Sequence, residues 1–521
     1  MTIYKPTRRA FLTSSAAFGA GLALPAISRA ASRPQFTHGV QSGDVDLSSG
    51  VIWTRTDRPA SVMMEISTTE DFANARRLPP LQALPQSDNA VKRLLTDLPS
   101  DQEIFYRFTA ADLSDINTQS APLVGRFRTA PASRRSIRFA WSGDTAGQGW
   151  GIDDDGMLTY ATMARHSPDF FIHSGDTIYA DGPMKDEVEL KDGSTWKNTT
   201  LIDEKRKVAE TLDEFRAQWK YNLMDEHVKA MNARVPTFFQ WDDHEVVNNW
   251  SDAKDLTGDD RYTEKSVHLL AARAGKAFHE MTPIRFTPAE PGRVYRRISY
   301  GPMLDVFFID LRSYRGPNGP SMEAEMTDAS RIFGAEQLAW LKRELANSNA
   351  TWKVIASDMP IGLIVWDNWK EQAGAEAISN GKSGAPAGRE LEIADLLRFI
   401  KNAGIHNTLW LTADVHYTAA HHYDPSRAQF QDFEPFWEFV SGPLHAGTFG
   451  PNGLDGTFGP EVRFAKAPVE GQGVNLPPSM GLQFFGLVDI DGDTEQLTVR
   501  LMDRADEELW TVTLDPKQRD T

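Results

Sequence analysis

No cysteine occurs anywhere in the 521 residues. That absence excludes disulfides, iron–sulfur clusters and zinc–thiolate sites in one step. Long apolar runs are scarce as well, and past residue 30 nothing approaches the roughly 20 apolar residues that a membrane helix needs. No cluster of Lys or Arg offsets a net charge of −17, so nucleic acid and anionic membrane are repelled and no nucleic-acid-binding surface is expected. A Gly-x-Ser-x-Gly elbow is missing too, which with the missing thiol argues against a nucleophilic hydrolase. Internal repeats and low-complexity tracts are also lacking.

What is present is ordinary globular material. Hydrophobic residues make up 40% and charged residues 24%, with 14 Trp and 28 Phe, and this length predicts two domains. At the start, Thr7-Arg8-Arg9-Ala10-Phe11-Leu12 precedes an apolar stretch to Ile27 and then Ser28-Arg29-Ala30. A basic region, a short apolar region and a small-x-small cleavage site predict a signal peptide over residues 1–30, and the paired arginines resemble a twin-arginine signal. The expectation is a periplasmic or secreted protein that meets the twin-arginine export machinery and keeps no stable membrane span. Without those 30 residues the chain has 51 basic and 72 acidic residues, a charge of −21. An anionic substrate would need something positive in the site.

Two regions differ in pattern. Residues 31–130 contain short alternating runs such as Val51-Ile52-Trp53-Thr54-Arg55 and Ile104-Phe105-Tyr106-Arg107-Phe108, which predicts a small β-sandwich of fibronectin or immunoglobulin type. Pro131 to Arg135 reads as a linker. Residues 136–521 alternate apolar strands with helical segments such as Leu338 to Leu345 and Leu391 to Ile400, which predicts an α/β layered domain. A charged helical region, about 203–234, interrupts it. Residues 441–481 are Gly/Pro-rich and aperiodic, either a lid or a surface excursion. Two strand-like runs, Leu482 to Ile490 and Leu497 to Met502, follow.

Six apolar runs in the second region each end in an acid: Asp144, Asp176, Asp242 with Asp243, Asp310, Asp358 and Asp414. Ligands of α/β sheets gather at the carboxyl ends of strands, so these acids should face one crevice. Converging carboxylates repel one another toward the neutral form, and bound cations relieve that repulsion. Three of the acids have a His or Tyr within three residues: Asp176 with Tyr179, Asp243 with His244, and Asp414 with His416. Oxygen donors with imidazole and phenol suit iron, manganese, zinc or calcium. His173 reads as a packed strand residue, and His421 and His422 read as surface residues. Gly147-Gln148-Gly149-Trp150-Gly151 lacks the spacing of a nucleotide fingerprint and reads as a close backbone approach to the site.

Phe36-Thr-His-Gly-Val-Gln-Ser-Gly-Asp44, Gly175-Asp-Thr-Ile-Tyr-Ala-Asp181, Trp241-Asp-Asp-His-Glu245, Asp310-Leu-Arg-Ser-Tyr-Arg315 and Ala413-Asp-Val-His-Tyr417 resemble blocks of the alkaline phosphatase D family of metallophosphoesterases. The resemblance implies an N-terminal sandwich followed by a four-layer αββα phosphoesterase domain. It implies iron (Fe3+) or another transition metal in one position and calcium or a second divalent metal in the other. Carried over residue by residue, Asp176 bridges the metals, Asp144, Tyr179 and His416 complete one site, and Asp243 and Asp414 serve the second. Some family members carry a cysteine in the first motif, where this chain offers Asp144. The implied reaction is hydrolysis of phosphate esters by a metal-bound hydroxide, with His244 as general acid for the leaving alkoxide. Arg312 and Arg315 either contact phosphate bidentately or lock Asp310 and its neighbours. Competing expectations are a phosphotriesterase, a phospholipase-like phosphodiesterase, and a non-catalytic binding protein braced by metals.

Overall fold

A computed structural model of the chain describes residues 33–517. Residues 1–30, expected from the sequence to be a signal peptide, lie outside those residues. Among the described residues no helix is long and apolar enough to cross a membrane.

Residues 36–128 build two antiparallel sheets. One has the order Phe36–Gly43, Gly50–Thr56, Ala90–Leu95, and the other the order Arg76–Ala83, Ala60–Ser67, Glu103–Asp112, Leu123–Arg128. Alternation explains their placement, since Val62, Met64 and Ile66 are buried while Met63 and Glu65 between them are half-buried. Buried residues of both sheets, including Val40, Ile52, Val91, Ile104, Tyr106 and Phe127, share one apolar cluster. Asp44 ties this part to the rest of the chain, its buried carboxylate accepting from Arg296 Nη2 at 2.7 Å and from the Arg285 amide at 2.7 Å.

Two larger sheets follow. The six-stranded one runs Thr237–Gln240, Phe170–Ser174, Ile137–Ser142, Phe484–Ile490, Leu497–Asp503, Glu508–Leu514, with its first three strands parallel. The seven-stranded one runs Arg296–Ser299, Leu304–Phe308, Trp352–Ala356, Thr408–Thr412, Phe436–Val440, Thr418–Tyr423, Pro460–Lys466, and its second to fifth strands are parallel. Successive side chains of a strand point to opposite faces, and both faces here are apolar. Phe139, Trp141, Phe170, Ile172 and Val488 of one sheet share a core with Val306, Phe308, Val354, Leu411 and Phe439 of the other. The alternate residues Ala140, Phe171 and Phe239 pack with Met163, Phe215 and Phe278, which lie on the helices Leu158–Arg165, Leu212–Asn222 and Val267–Met281. On the far side Phe307, Ile355 and Trp410 pack with Leu338, Leu341, Ile393 and Leu397 of the helices Ala335–Ala346 and Glu390–Asn402. Strands buried on both faces read as continuous apolar runs, which is why these segments stood out in the sequence.

Two details went beyond the sequence reading. Glu508–Leu514 adds a third strand after the two expected at the C-terminal end, and Pro460–Lys466 is a strand inside the stretch expected to be aperiodic. Both are exposed along much of their length, so neither carries the apolar run that marks a buried strand.

Candidate metal centre

Each of the six strand-end acids sits two residues past its strand: Asp144, Asp176, Asp242, Asp310, Asp358 and Asp414 follow Ser142, Ser174, Gln240, Phe308, Ala356 and Thr412. Gln240 joins the two sheets at this level, its amide donating to Ile309 O at 3.0 Å and Ala356 O at 2.8 Å. The chain turns abruptly here. Asp144, Asp176, Asp414 and His416 all take left-handed backbone conformations, with φ of 66°, 50°, 69° and 58°. Such conformations cost of order 1 kcal/mol each outside glycine, least for Asp, and persist where the surroundings impose them.

Three groups of side chains could each hold a metal ion, with ligand atoms within 4.8 Å of one another: Asp144, Asp176 and His416; Asp176, Asp243 and His244; and Asp242, Asp243 and Asp414. Asp176 belongs to the first two groups and Asp243 to the last two, so they form one continuous chain of donors. Tyr179 joins the first group, its hydroxyl 2.8 Å from His416 Nε2. Every acid among them is buried or nearly so. Burial first, then the charges of Asp242 or Asp243, push the carboxyls of Asp144, Asp176 and Asp414 well above the ordinary range. Burial, followed by Asp176 and Asp144, does the same to the Tyr179 phenol.

The donors around Asp144 fit a cation. His416 Nδ1 faces Gly447 O, an acceptor, so Nδ1 carries the proton. Burial lowers the His416 pKa to about 4, which leaves Nε2 as a lone pair at neutral pH. That lone pair accepts from the Tyr179 hydroxyl at 2.8 Å, and Asp144 Oδ1 stands 3.3 Å from the same nitrogen with no hydrogen-bond donor to either of its oxygens. A buried carboxylate without a donor is unfavourable unless a proton or a positive ion offsets its charge. Asp242 Oδ2 and Asp358 Oδ2 are likewise buried without a donor.

The surrounding residues set this geometry. Glu245 gathers three amides, from Asp176 at 3.0 Å, Thr177 at 2.7 Å and Asp242 at 2.8 Å, and so clamps two of the turns together. His244 donates its backbone N–H to Asp176 Oδ1 at 3.1 Å, while its Nδ1 lies 2.6 Å from Asp181 Oδ1. Part of the 441–481 stretch is a wall of the site: the amides of Leu444 and His445 reach Asp144 O at 3.1 Å, and the Phe449 ring packs edge-on against His416 at 5.3 Å. Two glycines make room. A Cβ on Gly147 would lie 2.3 Å from the Tyr179 ring, and one on Gly442 would lie 2.2 Å from Asp144 Oδ2. Gly442→Ala is therefore expected to displace the Asp144 carboxylate and weaken metal affinity roughly 10–100-fold. Metal titration of the purified variant tests this, and unchanged affinity would show that Asp144 is not a ligand.

Several expectations change. Arg312 and Arg315 have side chains with 0% exposure, so neither presents its guanidinium to a substrate in this arrangement. Arg312 does not lock Asp310 through its side chain either: Nε pairs with Asp242 and Nη1 with Glu376. Asp310 instead accepts from the Arg312 and Ser313 amides and the Ser313 hydroxyl, as a local turn cap. His421 is not at the surface; it is 1% exposed and lies 3.1 Å from Glu438 Oε2. His173 is a buried strand residue between Thr145 and Thr177. Asp181, Glu245 and Glu376 were missed as supports. Asp181 and Glu245 stand inside motifs already singled out, whereas Glu376 has no motif around it.

Residues 139–501 match the PhoD-like phosphatase family, and residues 21–131 match the N-terminal domain of PhoD-like phosphatases. Alkaline phosphatase D of Bacillus subtilis (strain 168) is 28% identical over 446 residues, covering 81% of this chain and 70% of that protein. Among solved structures, PhoD superposes with a TM-score of 0.67 at 23% identity, covering 94% of this chain and 90% of that one. A purple acid phosphatase from yellow lupin (Lupinus luteus) seeds gives 0.54 at 13% identity, covering 93% and 74%. At these identities the two structures speak to the fold. The extent of the family match is decisive, and the chain belongs to the PhoD-like phosphatase family, a phosphoric ester hydrolase.

Proposed function

We propose that this hydrolase uses two metal ions, one held by Asp144, Asp176, Tyr179 and His416 and the other by Asp243 and Asp414 with Asp242, with Asp176 shared between them. The observation that carries this reading is the convergence of Asp144, Asp176 and His416 in one buried group, with no donor to either Asp144 oxygen and with Asp176 common to a second donor group. Such ions supply an activated water and neutralise charge on the phosphoryl oxygens. All donors of the first group are oxygen or imidazole nitrogen, and the phenol favours iron there; calcium or another divalent ion suits the all-carboxylate second group.

The chain's own residues do the rest. Asp181 holds His244 by Nδ1 and leaves Nε2 free to deliver a proton to the departing alkoxide. Burial opposes a charge on His244, but Asp181 and then Asp243 outweigh it and raise its pKa to about 9, so the acid form is the resting one. Arg312, buried behind Asp242, balances carboxylate charge and touches no substrate. We further read residues 31–130 as an N-terminal β-sandwich, residues 136–521 as a four-layer αββα domain, and residues 1–30 as a twin-arginine signal that directs the protein to the periplasm or beyond. The separate matches of residues 21–131 and 139–501 to an N-terminal domain and to a phosphatase domain support the domain reading.

Elemental analysis of natively exported protein, with phosphate release from mono-, di- and triesters, tests the proposal. Two metal equivalents per chain are expected, and a chelator should abolish turnover. Full activity in a preparation free of metal would end it.

A further inference from the structure

Glu376 lies just past the short strand Ala373–Ala375, outside every motif of the site, and is 1% exposed. Its Oε1 accepts from Arg312 Nη1 and from Arg315 Nη1 at 3.2 Å. Its main chain is clamped as well: Arg389 Nη1 donates to the carbonyls of Ala375, Glu376 and Ala377 at 3.0, 2.6 and 3.1 Å. Arg389 Nη2 reaches back to Gly316 O, Pro317 O and Asn318 Oδ1. The Glu376 backbone is thus clamped by Arg389, and Arg315 Nη2 also donates to its carbonyl. Burial opposes its charge, yet Arg312 and Arg315 keep the carboxyl below its ordinary range, so it is ionised.

The Arg312 fork is shared between two pulls. Nε is bound by Asp242 and Nη1 by Glu376, while Nη2 is buried with no partner. Nη2 stops 3.7 Å from Asp414 Oδ1 and 3.9 Å from Asp243 Oδ1, beyond hydrogen-bonding distance. A guanidinium is a rigid planar fork, so holding two of its nitrogens fixes the third. A small displacement would close both gaps and place a fixed positive charge on the carboxylates meant for a metal. We infer that Glu376 is a positioning residue whose charge restrains Arg312 short of Asp243 and Asp414, keeping those two carboxylates available to a cation. This rests on the reading that Asp242, Asp243 and Asp414 form the second metal group, and it adds the element that tunes that group's affinity.

Calorimetric titration of metal-stripped full-length protein with Mn2+ provides the test. Wild-type protein should bind two equivalents. Glu376→Gln, which keeps shape and removes charge, should weaken one equivalent roughly 10–100-fold and leave the other unchanged. The double variant Arg312→Gln/Glu376→Gln removes the competitor and should restore the weakened equivalent. Arg312→Gln alone should bind it at least as tightly as wild type, which keeps the test open should Glu376→Gln fail to fold by circular dichroism. Unaltered binding in Glu376→Gln, equal weakening of both equivalents, no recovery in the double variant, or weakening in Arg312→Gln each overturns the inference. Fewer than two equivalents in wild type would instead defeat the two-metal reading.

Discussion

Asp176→Asn should fold normally and lose on the order of 10³-fold in kcat/KM on every phosphate ester, about 4 kcal/mol of transition-state stabilisation. Asp176 is the carboxylate common to the two donor groups that also contain Asp144 with His416 and Asp243 with His244. An amide replaces an anionic acceptor with one neutral acceptor and one donor, so on the proposed two-metal reading both ions would lose a ligand at once. The fold should survive because Asn adopts the left-handed conformation at this position as readily as Asp does, and its Oδ1 can still accept from the His244 amide. Stability supplies a second readout. In the folded chain, burial and then Asp243 hold the Asp176 carboxyl well above its ordinary 3.8. A group raised in this way gives its full contribution below 3.8 and loses it as pH climbs toward the folded value. Metal-stripped Asp176→Asn carries no such loss and should melt higher than metal-stripped wild type under mildly alkaline conditions, with the two converging in acid. Retained turnover, or a lower melting temperature in alkali, would remove Asp176 from the centre of the site.

How far the sequence discloses such a site depends on where each residue stands. Asp144, Asp176, Asp242 and Asp414 are legible because a largely apolar strand buried on both faces ends abruptly, and the residue two positions later is the first acid at the sheet's edge. Asp310 and Asp358 occupy the same place and carry the same signal, yet Asp310 serves as a turn cap and Asp358 stands outside the donor groups. Position along a strand cannot separate those roles, since only the neighbouring turns decide which way a side chain points. Arg312 reads in sequence as either a phosphate binder or a lock on neighbouring acids, and one of the two carboxylates that hold it, Glu376, stands 64 residues away in a loop without periodicity. The wall formed by residues 442–449 is hidden for the same reason: its hold on Asp144 and His416 runs through backbone amides and carbonyls, which leave no trace in residue type. The two sheets over residues 36–128 were legible from alternation alone, as Val62, Met64 and Ile66 illustrate.

His244→Asn should separate substrates by their leaving group. If Nε2 delivers the proton, alkyl phosphates, whose alkoxides are strongly basic, should lose roughly 10²–10⁴-fold in kcat. An aryl phosphate with an acidic phenol needs little protonation and should lose far less. A purely structural histidine would depress both substrates alike, so the ratio of the two effects is the informative quantity. The pH profile gives an independent check. Burial lowers the His244 pKa, but Asp181 and then Asp243 raise it to about 9. A general acid works in its protonated form, so kcat/KM for alkyl esters should fall as pH rises through an alkaline limb that is missing in His244→Asn. With cations beside Asp243, part of that raising charge is cancelled, and the limb should stand at or below about 9. Asp181→Asn takes away the partner 2.6 Å from Nδ1 and should move the limb further toward neutral pH while leaving metal content at two equivalents. An unshifted limb in Asp181→Asn, or equal losses on alkyl and aryl esters in His244→Asn, would return His244 to a structural role and require another proton donor for the leaving group.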